Sequence, residues 1–173
     1  GDGRADVLPA GKDFVAWWEL IPATSSKPAS WSRHELPIEA KGHGIGVGDI
    51  NGDGRNDIVS PNGWLEAPED RRQGRWVLHR DFTLDHDASI PILVADVDRD
   101  GDNDVIWGRG HKFGLYWLEQ SEKDGESTWT RHAIDTGWSQ AHSIRWADID
   151  NDGHGNLVAG KRYLGHDGKD PGA

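Results

Sequence analysis

Nine residues beginning at Asp49 space their oxygen-bearing side chains as a hard cation needs them. Asp49, Asn51, Asp53 and Asp57 stand at positions one, three, five and nine of Asp49-Ile50-Asn51-Gly52-Asp53-Gly54-Arg55-Asn56-Asp57, and Ile58-Val59 follow at once. The run returns from Asp96 to Asp104 before Val105-Ile106, and from Asp148 to Asn156 before Leu157-Val158. The opening Asp2-Gly3-Arg4-Ala5-Asp6-Val7-Leu8 matches the second half of a fourth copy. Ca²⁺ takes six to eight oxygens at about 2.3–2.6 Å and tolerates irregular geometry. Glycine at position six lets the backbone turn sharply between ligands. Taken over positions one, three, five, seven and nine, the metal set is Asp49, Asn51, Asp53, Arg55 and Asp57 in the first complete loop. The second offers Asp96, Asp98, Asp100, Asp102 and Asp104, and the third Asp148, Asp150, Asp152, His154 and Asn156. Asp2, Arg4 and Asp6 belong to the incomplete copy. The cofactor this spacing implies is Ca²⁺.

An EF-hand shares the first five positions, but it needs a bidentate Glu at position twelve and a helix on each side. Position twelve here is Ser60, Trp107 and Ala159. A plain Asp-Gly hairpin turn is the simpler alternative. Four carboxylates gathered without a cation would repel one another, which argues against it.

The other residues with chemistry to offer are nine histidines and a few cations. His43 and His142 each lie six residues before the first aspartate of a loop, and His86 precedes the matching strand of its repeat. His111, Lys161, Arg162, Tyr163 and His166 fall after the second apolar run of their repeats. Imidazole or phenol can take a proton next to a carbonyl while Arg or Lys steadies the enolate. The catalytic candidates are therefore His43, His142, Tyr163, Arg162 and His166. The bland alternative is ordinary solvated loop polarity. Trp107, Trp138 and Trp146 stand outside the repeated tryptophan positions and are candidates for stacking on a sugar ring. A Gly-rich phosphate loop, a cysteine nucleophile and a Gly-x-Ser-x-Gly elbow are all missing from the sequence.

The elements that must carry these groups are strands. Ile45-Gly46-Val47-Gly48, Ile92-Leu93-Val94-Ala95 and Ile144-Arg145-Trp146-Ala147 lead into the loops, and an apolar pair leads out of each. That reads as strand, metal loop, strand, with the position-nine side chain clamping the start of the second strand. The position-five Asp falls at 2, 53, 100 and 152, so the steps are 51, 47 and 52 residues. Trp18-Glu19, Trp64-Leu65-Glu66 and Trp117-Leu118-Glu119 follow the loops, and Trp31 to His34, Trp76 to His79 and Trp129 to His132 follow those. Short strands repeating every 40 to 50 residues or so indicate propeller blades. The fold expected is all-β, with blades of four antiparallel strands over 1–36 (partial), 43–80, 90–134 and 142–173 (partial). The first strand of each blade would line a central channel and bring His43 and His142 to it. His34, His79 and His132 are expected to pack and hydrogen-bond within the outer strand.

Composition sets outer limits. A net charge of −11 and a pI near 5.1 argue against nucleic acid as a partner. Three or four Ca²⁺ would contribute roughly +6 to +8, which makes much of this acidity ligand charge. There is no cysteine and hence no disulfide framework. No apolar run approaches the roughly 20 residues of a membrane span. Calcium loops of this kind work where the ion is near millimolar, which places the chain outside the cell or in a periplasm.

The loops and their spacing resemble the FG-GAP or VCBS repeat family, whose blades carry this nine-residue calcium loop. The resemblance covers essentially the whole chain. It departs at Asn156, where Asp is usual, and a weaker third site is expected there. A narrower resemblance, to the propeller domain of aldos-2-ulose dehydratase-like proteins, rests on Asn62-Gly63-Trp64-Leu65-Glu66-Ala67-Pro68 and on residues 160–168. Two readings follow. One is a calcium-stabilised extracellular module that binds a carbohydrate or protein ligand, or assembles with copies of itself to complete a ring. The other, implied by the narrower resemblance, is a carbohydrate-active lyase or dehydratase using His, Tyr and Arg at the propeller axis. Two copies are expected to supply roughly seven blades' worth of strands, within the usual four to eight.

Overall fold

The computed structural model describes residues 4–9, 11 and 13–172. No α-helix occurs among them, and the strands fall into two complete four-stranded antiparallel sheets and two pairs. The first complete sheet is β3 (Gly46–Gly48), β4 (Asp57–Ser60), β5 (Gly63–Glu66) and β6 (Val77–His79), hydrogen-bonded in chain order. The second is β7 (Leu93–Ala95), β8 (Asp104–Gly108), β9 (Phe113–Lys123) and β10 (Glu126–Ser139), likewise in order. Before them β1 (Ala16–Ile21) pairs with β2 (Ser30–Glu35), and after them β11 (Ala141–Ala147) pairs with β12 (Asn156–Lys161). These are propeller blades: β1 and β2 correspond to the outer two strands of one, β11 and β12 to the inner two of another. Val7 pairs with Trp18 in an isolated antiparallel bridge, at the place where the second strand of the first blade meets β1.

The apolar pairs that leave each acidic loop show why the strands read as continuous rather than alternating. Successive side chains of a strand point to opposite faces, and here both faces are covered. Val59, Trp64 and Val105 face the core between the two complete blades, with Phe82, Ile92, Trp107 and Leu118. Ile58 and Leu65 face the preceding blade, against Val15, Leu36, Ile45 and Trp76. Ile106 turns the other way, to Leu115, Ala141 and Ile144. Full burial of one such side chain is worth about 1.5–3 kcal/mol.

Adjacent blades touch along their first strands. Gly46 and Ile92 form a parallel bridge, and the Ile92 amide donates to the Ile45 carbonyl at 2.9 Å. A Cβ on Gly46 would lie 2.0 Å from the Ile92 carbonyl oxygen, so only glycine allows this approach.

The outer strands are locked by a repeated pair. Trp17, Trp64 and Trp117 stand directly across from His34, His79 and His132, and the rings stack at 4.2, 4.3 and 4.7 Å. Each imidazole Nε2 also bonds the glutamate two residues beyond its tryptophan, at 3.2, 2.8 and 2.5 Å for Glu19, Glu66 and Glu119. The repeat-equivalent tryptophan of the first blade is thus Trp17, not Trp18. Trp18 packs on Phe14 and Arg33 instead.

Candidate functional site

The antiparallel order gives each blade two ends. The acidic loops join first strands to second strands at one end. The second-to-third turns and the entries to the first strands lie at the other.

At the acidic end, three loops share one backbone. The position-one carboxylate accepts the position-six amide: Gly54 to Asp49 at 2.8 Å, Gly101 to Asp96 at 3.3 Å and Gly153 to Asp148 at 3.0 Å. Position five accepts from position seven, at 2.8 Å for Arg55, 2.9 Å for Asp102 and 2.8 Å for His154. Position nine accepts from position two: Ile50 to Asp57 at 2.9 Å, Val97 to Asp104 at 2.8 Å and Ile149 to Asn156 at 2.8 Å. Positions four and six both take positive φ: Gly52 and Gly54, Arg99 and Gly101, Asn151 and Gly153. The left-handed residue at position four had no marker in the sequence, because Gly, Arg and Asn share no side-chain chemistry.

The two complete blades use position nine twice. The second oxygen of Asp57 accepts the Ala67 amide at 2.8 Å, and that of Asp104 accepts the Gln120 amide at 2.9 Å. One carboxylate thereby ties the loop to the far end of the third strand. Asn156 makes only the first of these bonds, and among the described residues no third strand follows β12 to offer the second donor.

These donors fit a hard divalent cation. Oxygens of Asp96, Asp98 and Asp104 converge within 4.8 Å of one another, as do those of Asp148, Asp150 and Asp152. Asp104 is fully buried, and burial, reinforced by Asp98 and Asp100, raises its carboxyl to about 6. Burial likewise raises Asp57, and burial with the charges of Asp100 and Glu122 raises Asp102. A cation would relieve that uncompensated charge. In the first complete loop Arg55 is ion-paired to Asp53 and donates Nε–H to the Ala67 carbonyl at 2.8 Å. Its guanidinium has no lone pair to give a metal. Asp6 and Arg4, from the incomplete loop, line a cavity with Trp17, Ile58 and Trp76, and Asp2 lies outside the described residues.

At the opposite end three imidazoles meet. His43 enters β3, His111 sits in the turn between β8 and β9, and His142 lies on β11, so each comes from a different sheet. Their ring nitrogens converge within 4.8 Å. The rings stand nearly edge-on to one another, with interplanar angles of 71–80° and centroids 4.8, 5.4 and 5.6 Å apart. His43 Nδ1 bonds the Ala88 carbonyl at 3.1 Å, and its Nε2 lies 3.0 Å from His111 Nε2. His142 hydrogen-bonds the Gly110 backbone, while its Nε2 is buried with no partner. Burial, then the charges of Arg162 and His43, lower its pKa and favour the neutral ring.

The His111 turn is held from below by Asp87. That carboxylate accepts from Arg109 at 2.8 and 2.9 Å and from the His111 amide at 3.2 Å. Burial pushes Asp87 up, and the Arg109 bonds outweigh it, leaving the carboxyl below its ordinary value. A Cβ on Gly110 would stand 3.0 Å from His43 Cε1 and 3.2 Å from His142 Nε2, so glycine keeps the space between the rings clear.

Residues 96–159 match the FG-GAP-like repeat family. The chain is also 31% identical over 151 residues to human integrin alpha-IIb, an alignment covering 69% of this chain and 14% of that protein's length. This chain carries an FG-GAP-like repeat. No solved structure matches it.

The FG-GAP-like chain brings together some of the sequence-predicted catalytic candidates and separates others. His43 and His142 meet, and His111, which spacing alone did not join to them, completes the group. Arg162 and His166 stand just behind His111. Arg162 lies 3.1 Å from His111 Nδ1, and the His166 ring stacks on His111 at 4.8 Å. Tyr163 is 76% exposed and takes no place in the group. Trp107 is not an exposed platform either: it is fully buried, and its Nε1–H donates to Asp85 at 3.1 Å. Sequence reasoning missed Asp170, whose carboxylate bonds His111, His166 and Arg162. Its contacts with His166 and then His111 hold it at about 2. One signal pointed to His111. Two residues separate β4 from β5, but four separate β8 from β9, and the longer turn carries Gly110 and His111 to the axis.

Proposed function

We propose that the chain is a calcium-stabilised propeller module of an extracellular protein, binding a carbohydrate or protein ligand at the histidine end of its blades. The observation that carries this is the common backbone of the three acidic loops, with carboxylates converging in two of them. Asp96, Asp98 and Asp104 would hold one ion, and Asp148, Asp150 and Asp152 another. Calcium would neutralise the loops and join the first two strands of each blade. No helix among the described residues is long and apolar enough to cross a membrane. The free edge of β12 is where a further blade strand, or a second copy, would add. Equilibrium dialysis with ⁴⁵Ca²⁺ is expected to find at least two sites in the range of about 0.1–1 mM, with a melting temperature that rises with calcium. Absence of binding up to about 10 mM would overturn the reading.

The convergence of His43, His111 and His142 favours a second reading, in which the axis holds a divalent ion of the zinc class and the chain takes part in carbohydrate elimination. Three imidazole ligands with an open fourth position are a common donor set for catalytic zinc. Such an ion would supply a Lewis acid toward a sugar carbonyl. His43 and His142 would hold it, His111 would complete the set, and Arg162 would stand ready to bind an anionic oxygen. Substituting His43 and His142 together by alanine and assaying elimination from sugar acids and ketoaldoses tests this reading. Turnover lost with the fold intact supports it, and absence of turnover in the wild type leaves only the binding module.

A further inference from the structure

We propose that Arg162 and Asp170 compete for a single atom, His111 Nδ1, and that this competition sets how tightly the three-histidine centre takes up a divalent ion. The proposal rests on the reading of the axis as an ion site.

A carbonyl only accepts, so the Ala88 contact puts the His43 hydrogen on Nδ1 and leaves a lone pair on Nε2. His142 also presents a buried, unpartnered Nε2. His111 alone faces two opposite demands. Its Nδ1 lies 3.1 Å from Asp170 Oδ2 and 3.1 Å from an Arg162 guanidinium nitrogen.

A guanidinium only donates and asks for a lone pair at Nδ1. The His111 hydrogen then sits on Nε2 and is donated across 3.0 Å to His43 Nε2. In that state the centre is closed without an ion. A carboxylate only accepts and asks for the hydrogen at Nδ1. His111 Nε2 then offers a lone pair beside those of His43 and His142, an arrangement that repels itself unless a cation is present. Asp170 therefore selects the ion-holding tautomer and Arg162 the ion-free one.

The geometry allows the exchange without large movement. Arg162 already lies 2.5 Å from Asp170 Oδ2, so it has a partner to turn to when it leaves Nδ1. Both residues follow β12 in the chain, and the Arg162 amide is anchored on the Gln140 carbonyl at 3.0 Å. The remaining groups against His111 do not contest Nδ1. Asp87 takes the backbone amide, and His166 stacks on the ring face. Asp170 is thus a positioning residue that acts on the ion through His111. A carboxylate behind a histidine ligand usually changes metal affinity about 10–100-fold when it is removed.

The test uses the full chain and two readouts. In metal-free protein, long-range ¹H–¹⁵N correlation spectra report which ring nitrogen carries the hydrogen. His111 is expected to be Nε2-protonated in the wild type and Nδ1-protonated in Arg162→Met. In Co²⁺ titrations followed by visible absorption, Asp170→Asn is expected to weaken binding about 10–100-fold, with Asp170→Glu restoring part of it. Arg162→Met is expected to tighten binding about 10-fold. Opposite signs for two neighbouring substitutions cannot both come from loss of fold. A wild-type protein that takes up no Co²⁺ would sink the ion reading and the proposal together. Co²⁺ binding that neither substitution changes, or an Nδ1-protonated His111 in the metal-free wild type, overturns the proposal alone.

Discussion

The two ends of the blades are built on different principles. At the acidic end everything is local: nine consecutive residues make a loop, the loop occurs three times, and each copy repeats the same backbone hydrogen bonds. At the histidine end repetition is broken. His43 and His142 each stand six residues before their loop, but Ile90 holds that place in the blade between them, and His111 comes from a turn of that blade instead. Repetition here marks what every blade needs to fold. The break in repetition marks what the assembly does once.

The contrast can be tested by exchanging damage between the ends. Asp104→Ala leaves the half-buried Val97 amide and the buried Gln120 amide without acceptors and is expected to cost about 2–5 kcal/mol in urea unfolding, even with calcium present. His142→Ala removes a ring with a buried, unpartnered nitrogen and is expected to leave the unfolding midpoint nearly unchanged while abolishing Co²⁺ uptake. If His142→Ala proved the more destabilising of the two, the division between folding end and functional end would be wrong.

A smaller effect sharpens the same contrast through pH. In metal-free protein Asp104 titrates at about 6, against 3.8 for an ordinary aspartate. Between those values the folded chain holds a proton that the unfolded chain has released, so stability falls as pH rises through that window. Urea midpoints of the wild type minus those of Asp104→Asn, taken from about pH 4 to about pH 7, isolate this slope. Calcium added at the upper end should remove the deficit. A flat difference across the window would mean that the buried carboxylate carries no uncompensated charge.

What could be read in advance follows the same line. The loops were legible because their oxygen-bearing side chains lie within nine residues of one another and backbone turns dictate glycine at position six. The four-strand blade was legible from the apolar pairs and from the tryptophan and histidine markers, whose ring stacking across β5 and β6 and across β9 and β10 explains their fixed spacing. Trp18 in place of Trp17 shows the limit of that reading, since two adjacent tryptophans differ only in which face of the strand they take. The meeting of His111 with His43 and His142 was not legible, because distances across blades depend on inter-sheet packing and no local spacing encodes them. Arg55 was placed among the ligands by position, and its side chain instead neutralises Asp53.

The three imidazoles also act as a gauge of how neighbouring blades sit. Each is fixed to its own blade, so anything that grips all three at once also fixes the angles between neighbouring sheets. Some of the free energy of seating a guest at the axis must therefore appear as stiffness along the seams, where Gly46 meets Ile92. Slackening a seam should loosen the guest in turn, though no residue that touches it has changed.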